Sequence, residues 1–284
     1  MMNLLKKAWL IIKHNYSVNL YMLANVISIK ESPRREKALQ RAKEYGFEIC
    51  FYDAYNYVDD SIQSHADEFD IGRFHERYLR NPASGEIGVF MSHFELWKNL
   101  KKKKQHAHLV LEDDFIPKTS ARVIENIILS ANDEYDVIIL GYSKVDEMAE
   151  QAISIINPLN VQYSYSNYKV GRKFHESTCG ALSYVVKDSF FEKVLVDSAK
   201  PFCLIDDWSI FKQMGVNILH VSPLCFYEDY NKMSSNIDKS GRLSGDYSVT
   251  KNRKLGYIML RHIYRRSVGL LLTVLMFLGI YSSS

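Results

Sequence analysis

No two of the four cysteines (Cys50, Cys179, Cys203 and Cys225) stand at the CxxC spacing of a zinc knuckle or a thioredoxin-type motif. Their wide scatter predicts free, buried thiols in a reducing compartment, with a cytosolic location as the default. Charge of one sign is also scarce. The 36 Lys+Arg against 33 Asp+Glu leave a formal charge of +3, too little for a dedicated nucleic-acid binder. There is no Walker-type glycine loop and no GxGxxG, GxSxG or HExxH, which disfavours a P-loop kinase, a dinucleotide-dependent dehydrogenase and a serine hydrolase of the common type. No internal repeat or low-complexity stretch is visible, and the apolar run Ala8–Ile12 is too short for a signal-peptide core. At 47% apolar and 24% charged residues, the 284-residue chain has the composition of a globular protein and can bury a sizeable core.

The patterning that is present predicts an α/β domain. Asn25–Ile29 reads as a buried strand. Pro33 opens the helical stretch RREKALQRAKEYG, which Gly46 closes, and Phe47–Ala54 is strand-like again. Strand, helix and strand in so short a span form a βαβ unit, so a parallel sheet is expected. Residues 55–80 read as a polar, irregular loop. Ser84 is placed to cap a helix carrying Glu86 in its first turn, with Ile87, Phe90, Met91, Phe94 and Trp97 at helical spacing. Further strands are expected at His108–Leu111, Tyr135–Leu140, Gly180–Val186 and Val216–Val221, and further helices at Lys187–Val196 and Asp206–Met214. Residues 228–250 are polar and turn-rich, as a mobile loop would be.

The two ends differ from this middle. Residues 1–21 read as a basic amphipathic extension, or as sequence upstream of a start near Met22. Residues 251–266 carry Lys251, Arg253, Lys254, Arg261, Arg265 and Arg266 and no acid, and Val268–Tyr281 is almost wholly apolar. A helix of about 14 residues spans roughly 21 Å, less than the roughly 30 Å hydrocarbon core of a bilayer. A basic patch beside a dipping apolar helix supplies the two signals that peripheral anchoring needs. A buried helix covering the core is the alternative. The expected organisation is therefore an N-terminal extension over 1–21, a catalytic domain over 22–250 and a membrane-associating tail over 251–284.

Candidate chemistry concentrates in a few places. Glu112, Asp113 and Asp114 directly follow the strand HLVL. Ligands of open α/β sheets bind outside the carboxyl ends of strands, and adjacent acids there suit a hard divalent cation that also grips a diphosphate. A solvated acidic strand exit is the plain alternative. Asp206-Asp207-Trp208 reads either as a helix cap, or as a general base or another metal-site acid beside an aromatic platform. Ser92 and His93 lie in GEIGVFMSHFELWK, where a lone histidine is more often structural than ligating. Arg34 and Arg35 sit at a helix N-terminus, where cations oppose the helix dipole, so a phosphate-facing role gains weight.

Taken in order, NVISIKESPRREKAL, FYDAYN, GEIGVFMSHFELWK, HLVLEDDFIP, YDVIILG, TCGALSYVVKDSFFEKVL, IDDW and PLCFYEDYNKMSSNI resemble glycosyltransferase family 25, the bacterial lipooligosaccharide galactosyltransferases. The resemblance spans roughly residues 22–240. It implies a GT-A-like, Rossmann-like fold, a UDP-sugar donor and a Mn2+ or Mg2+ ion. It further implies metal contact at Asp114, ribose or sugar contact at Glu112 or Asp113, and a nucleotide end lined by Ser28, Arg34 and Arg35, with Ser92 and His93 also on the donor side. The motif here is EDD, not a DxD with a leading Asp. An inverting transfer needs a base, for which Asp207 or Asp206 is the expectation. The implied acceptor is a lipooligosaccharide glycan, met by a peripheral enzyme on the cytoplasmic face of a bacterial inner membrane. Transfer of glucose or an amino sugar, an inactive glycan-binding relative, and a two-carboxylate glycoside hydrolase are the competing readings.

Overall fold

The computed structural model describes residues 22–229, apart from 104, 132, 133, 174, 175, 177–179, 197 and 198. The N-terminal extension, the tail over 251–284, Cys179 and the polar stretch beyond 229 lie outside the described residues.

Strand β1 (Ala24–Ser28) is buried along its whole length. Helix α1 (Arg34–Tyr45) follows and stops at Gly46, whose φ of 75° lies in the left-handed region that glycine reaches without a Cβ penalty. Strand β2 (Ile49–Asp53) then pairs parallel to β1, so the expected βαβ unit stands. Residues 55–80 differ from expectation. They hold a 3-10 turn (Ile62–His65) and helix α2 (Ile71–Tyr78), whose N–H of Arg73 is taken by the Asp70 carboxylate. Ile71, Phe74 and Tyr78 face the core at helical spacing, a short signal inside a polar stretch.

Helix α3 (Ser84–Lys101) begins at Ser84, with Ala83 as its capping residue. Ser84 does not cap it. Glu86 accepts the Ala83 N–H at 3.0 Å and is itself held by both guanidinium nitrogens of Arg80 at 2.7 Å, while Ser84 Oγ donates to the Asp60 carbonyl at 2.8 Å. Strands β3 (His108–Glu112), β4 (Phe115–Pro117) and β5 (Val137–Gly141) follow, with α4 (Ala121–Ser130) between the last two. Helix α5 (Glu147–Ile156) leads to a hairpin of β6 (Leu159–Tyr165) and β7 (Tyr168–Lys173). Then come β8 (Ser183–Val186), α6 (Asp188–Val194), α7 (Trp208–Gln213), β9 (Ile218–Ser222) and β10 (Phe226–Glu228).

The sheet order is β2-β1-β3-β8-β5-β9-β7-β6, with β10 pairing β4 and β5 at one end. The sheet is mixed, not wholly parallel. The β2-β1-β3 and β5-β9 pairs are parallel, but β8 runs antiparallel to both its neighbours. The cause is where the chain re-enters: Ser183 at the start of β8 lies opposite Gly141 at the end of β5, so β8 departs from the edge that β5 has just reached.

The period-two alternation of the strands divides the core. Val110, Ile139, Tyr184 and Val186 point to one face, against Phe90, Trp97, Phe190, Trp208 and Phe211 of α3, α6 and α7. Leu109, Leu111, Ile138 and Val185 point to the other, against Ala38, Ala42, Ile124 and Ile127 of α1 and α4. Each fully buried side chain of the size of Phe190 stabilises the fold by roughly 1.5–3 kcal/mol. The architecture is thus α/β with helices on both faces, the Rossmann-like class expected. Cys203 and Cys225 are buried free thiols whose proton affinity burial raises, whereas Cys50 is exposed, contrary to expectation. Among the described residues no helix is long and apolar enough to cross a membrane.

Candidate active site

The parallel register sets the carboxyl ends of β1 and β3 side by side, with Ile27 opposite Glu112. The residues just past those ends therefore meet. Ser28 Oγ donates to Asp113 Oδ2 at 2.6 Å, and Ser32 Oγ adds a longer contact at 3.4 Å. From the first turn of α1, Arg34 Nη1 reaches Asp113 Oδ1 at 3.3 Å and Asp114 Oδ2 at 3.2 Å. A cation at a helix N-terminus, unfavourable by itself, is compensated here by two carboxylates. Arg35 turns the other way. Its Nη2 holds the Ser28 carbonyl at 2.8 Å and Asp53 Oδ1 at 2.5 Å, with the guanidinium 4.8 Å from the Phe51 ring centre. Ser28, Arg34, Glu112, Asp113 and Asp114 are thus brought together, and Arg35 braces the β1 and β2 ends beside them.

Negative charge outweighs positive charge at this edge. Glu112 is pushed up to about 8 by burial and by the charges of Glu228, Asp113 and Asp206, with Arg34 opposing. Asp114 is raised well above the usual carboxylate range by burial, then by Glu112, Glu228 and Asp113. Its Oδ1 is buried with no hydrogen-bond partner among the described residues. Groups of this kind bind a cation or a proton in preference to standing ionised and bare. Among the described residues no three His, Cys, Asp or Glu side chains form a cage for a metal ion. A cage is not what a magnesium-type ion requires. Such ions take one or two carboxylates and complete their shell with phosphate oxygens and water. The hard oxygen donors here and the unpartnered Asp114 Oδ1 fit that chemistry.

Glu228 was not singled out in the sequence. It arrives from the far end of the chain because β10 pairs antiparallel with β4, setting Glu228 opposite Phe115. The Asp229 N–H donates to the Asp114 carbonyl at 2.9 Å, and the Asp229 carboxylate is clamped by Arg41. Glu228 Oε2 accepts the Lys144 N–H at 2.7 Å. Only strand pairing over more than a hundred residues creates this neighbourhood, so no local pattern reveals it.

The two adjacent acids at α7 separate. Asp206 Oδ2 accepts the Gly180 N–H at 3.0 Å, and its charge is felt by Glu112, so it faces the acidic edge. Asp207 points into a clasp, accepting from Arg77 Nε at 2.7 Å, Tyr78 Oη at 2.6 Å and Ser209 Oγ at 2.5 Å. Burial opposes its ionisation, but these donors win and hold it below the usual range. A carboxylate with three donors and lowered proton affinity is a poor base. Trp208 is no open platform. It is 1% exposed and packs against Tyr184 and Phe211.

Ser92 is also committed to structure. Its Oγ donates to the Gly88 carbonyl at 2.6 Å and accepts the Tyr55 N–H at 2.9 Å, pinning the segment after β2 onto α3. His93, fully buried one residue on, faces the acidic edge, with Nε2 3.7 Å from Glu112 Oε1. Desolvation lowers its pKa to about 3, so the ring is neutral.

A family model described as glycosyltransferase family 25 (LPS biosynthesis protein) matches residues 22–209. A Drosophila melanogaster protein named "Glycosyltransferase 25 family member" is 27% identical over 223 residues, 72% of this chain and 35% of that protein. The Mus musculus protein named "Procollagen galactosyltransferase 2" is 28% identical over 136 residues, 45% of this chain and 21% of its own length. The chain spans about a third of the length of the first of these relatives and a smaller share of the second. A solved glycosyltransferase involved in the glycosylation of the major capsid of PBCV-1 has a TM-score of 0.34 and 9% identity, covering 77% of this chain and 97% of its own; a likeness that low carries no argument.

Proposed function

Because this chain belongs to glycosyltransferase family 25, we propose that it moves galactose from UDP-galactose to a hydroxyl of a glycan acceptor, with Mn2+ or Mg2+ held at Asp114. The observation that carries this reading is the surplus of carboxylate at the sheet edge, with Asp114 Oδ1 buried and unpartnered. Relatives named as procollagen galactosyltransferases support the sugar. When bound, the ion supplies positive charge to the two phosphates of the leaving group.

The chain's own residues do the rest. Asp114 offers the buried oxygen, and Glu112 and Asp113 face the ribose or sugar. Ser28 and Arg34 fix Asp113, so that carboxylate is preorganised by contacts already made. Asp206 takes the base role in preference to Asp207. The acceptor oxygen attacks the anomeric carbon from the face opposite the diphosphate, the carbon–phosphate oxygen bond breaks, the acceptor proton passes to the Asp206 carboxylate, and UDP departs. The configuration at the anomeric carbon inverts. The proposed acceptor is a lipooligosaccharide glycan on the cytoplasmic face of a bacterial inner membrane, supported by the basic and apolar sequence over 251–281 and by the LPS description of the family model.

The test is a thermal-shift screen of UDP-galactose, UDP-glucose and UDP-N-acetyl sugars, with and without Mn2+, on the full chain and on Asp114→Ala. A ligand at a hundred times its Kd stabilises by about 2.7 kcal/mol. We expect a Mn2+-dependent shift with UDP-galactose that Asp114→Ala abolishes. An equal shift in chelator, or in the variant, removes the ion from Asp114; a shift with UDP-glucose alone removes galactose.

A further inference from the structure

One buried chain of polar groups behind the acidic edge is aligned toward it. Trp97 Nε1 lies 2.8 Å from Tyr184 Oη, Tyr184 Oη lies 2.7 Å from His93 Nδ1, and His93 Nε2 lies 3.7 Å from Glu112 Oε1. The first three residues are fully buried, on α3 and β8. Valence sets the order of donors at the tryptophan end. An indole N–H only donates, so Tyr184 Oη is the acceptor of that bond. The tyrosine's own proton is then free to go to His93 Nδ1, which stands within hydrogen-bond distance. A neutral imidazole that accepts at Nδ1 carries its proton at Nε2. That nitrogen is buried and has no hydrogen-bond partner among the described residues, while the carboxylate it faces is too far for a bond by about 0.5 Å or more.

We infer that Trp97, Tyr184 and His93 form a proton-ordered relay that fixes the His93 tautomer and aims its Nε2–H at Glu112, making His93 a positioning residue for that carboxylate. This rests on the reading that Glu112 lies on the donor side of the site. The inward edge of Glu112 has one directed donor waiting, and a small rotation of the carboxylate closes the gap. A neutral donor suits this place. An Nε2–H can orient the Glu112 carboxyl group both in the ion-free protein, where burial and neighbouring acids keep it protonated, and beside a bound cation, where it is ionised, and it adds no positive charge in either state. A histidine placed only for packing needs no particular tautomer. The stacked contact with Tyr184, at 5.8 Å between ring centres, would serve such a role by itself.

The experiment reads the tautomer directly, by long-range nitrogen–proton spectra of the full chain labelled in histidine, with His93 assigned by its loss in His93→Gln. The expected result is a neutral ring protonated at Nε2, a mixture of tautomers in Tyr184→Phe, and a displaced Nε2 proton resonance in Glu112→Gln. Protonation at Nδ1 in the wild type, or an Nε2 resonance indifferent to Glu112→Gln, overturns the relay. Donor binding supplies the second arm. Gln can place an amide donor where Nε2–H stood, whereas Asn and Leu cannot. We expect His93→Gln to keep the donor KM within about threefold and His93→Leu to raise it roughly tenfold with kcat little changed, a split that marks lost ground-state binding. Equal losses in Gln and Leu overturn the positioning role. If the wild type binds no UDP-sugar, the proposed function fails while the tautomer result still decides the relay.

Discussion

Replacing Asp207 by Asn separates a structural carboxylate from a catalytic one. In the wild type Asp207 takes hydrogen bonds from Arg77, Tyr78 and Ser209, and it joins α2 to the start of α7. The Tyr78 hydroxyl also accepts the Leu204 N–H at 3.1 Å, so its proton is committed to Asp207. Hydrogen bonds to a charged acceptor contribute about 1.5–3 kcal/mol, against about 0.5–1.5 for neutral ones. Asn keeps one oxygen but turns an N–H toward a donor. Discounting for the Arg77 side chain, which is 29% exposed, the expected loss is about 2 kcal/mol. For a domain of this size that lowers Tm by roughly 4–8 °C. The pH dependence has a definite sign. A carboxylate held below its ordinary 3.8 contributes fully above that value and loses its contribution as pH falls through the folded pKa. The gap between wild type and variant should therefore be wide at neutral pH and close in acid. Differential scanning calorimetry across pH, run beside a turnover assay at a temperature where both proteins are folded, checks this. Turnover lost with Tm unchanged would refute the clasp and return Asp207 to the role of base.

The acidic edge predicts an opposite trend. Folded Glu112 keeps a proton to about pH 8 that the unfolded chain gives up near 4.5. Stability in buffers free of divalent ions should fall as pH rises through that window, and Glu112→Gln should flatten the fall; urea titrations with parallel slopes in both proteins would refute it. Gly171→Ala should cost about 3 kcal/mol or more, because the added Cβ would meet the Asn160 carbonyl oxygen at 2.1 Å, a backbone atom that cannot give way, and force β6 from β7. At Gly46 nothing lies within 4 Å of an added Cβ, so Gly46→Ala should cost only about 1–2 kcal/mol of backbone strain. Circular-dichroism melts that rank these two variants the other way would contradict the register.

The parts of the molecule that could be read from sequence are those whose causes are local. The β1-α1-β2 unit declared itself through an apolar run, a helical run and Gly46, and the acids after HLVL marked a strand end before any register was known. The helix at Ile71–Tyr78 was hidden because eight residues show barely two turns of periodicity, with Asp70 as the only cap signal. The β6-β7 hairpin had a legible alternation in Val161, Tyr163 and Tyr165, but its turn uses Ser166 at a φ of 55° in place of the usual glycine. The division of labour between Asp206 and Asp207 was out of reach of any local rule. It depends on Arg77 and Tyr78, which approach from a helix about 130 positions earlier. Glu228 and Tyr184 reached the site the same way, through strand order.

Strand β10 has a practical corollary. Asp229, the residue just past its end, stitches the Asp114 carbonyl and the Arg41 guanidinium together: its N–H donates to the first and its carboxylate accepts from the second. Anyone shortening the gene from its 3′ side should treat Asp229 as the innermost permissible stop. A cut even one codon earlier would remove both contacts and release the main chain at Asp114, the residue on which the chemistry is proposed to turn, and the resulting inactivity would say nothing about the residues removed downstream.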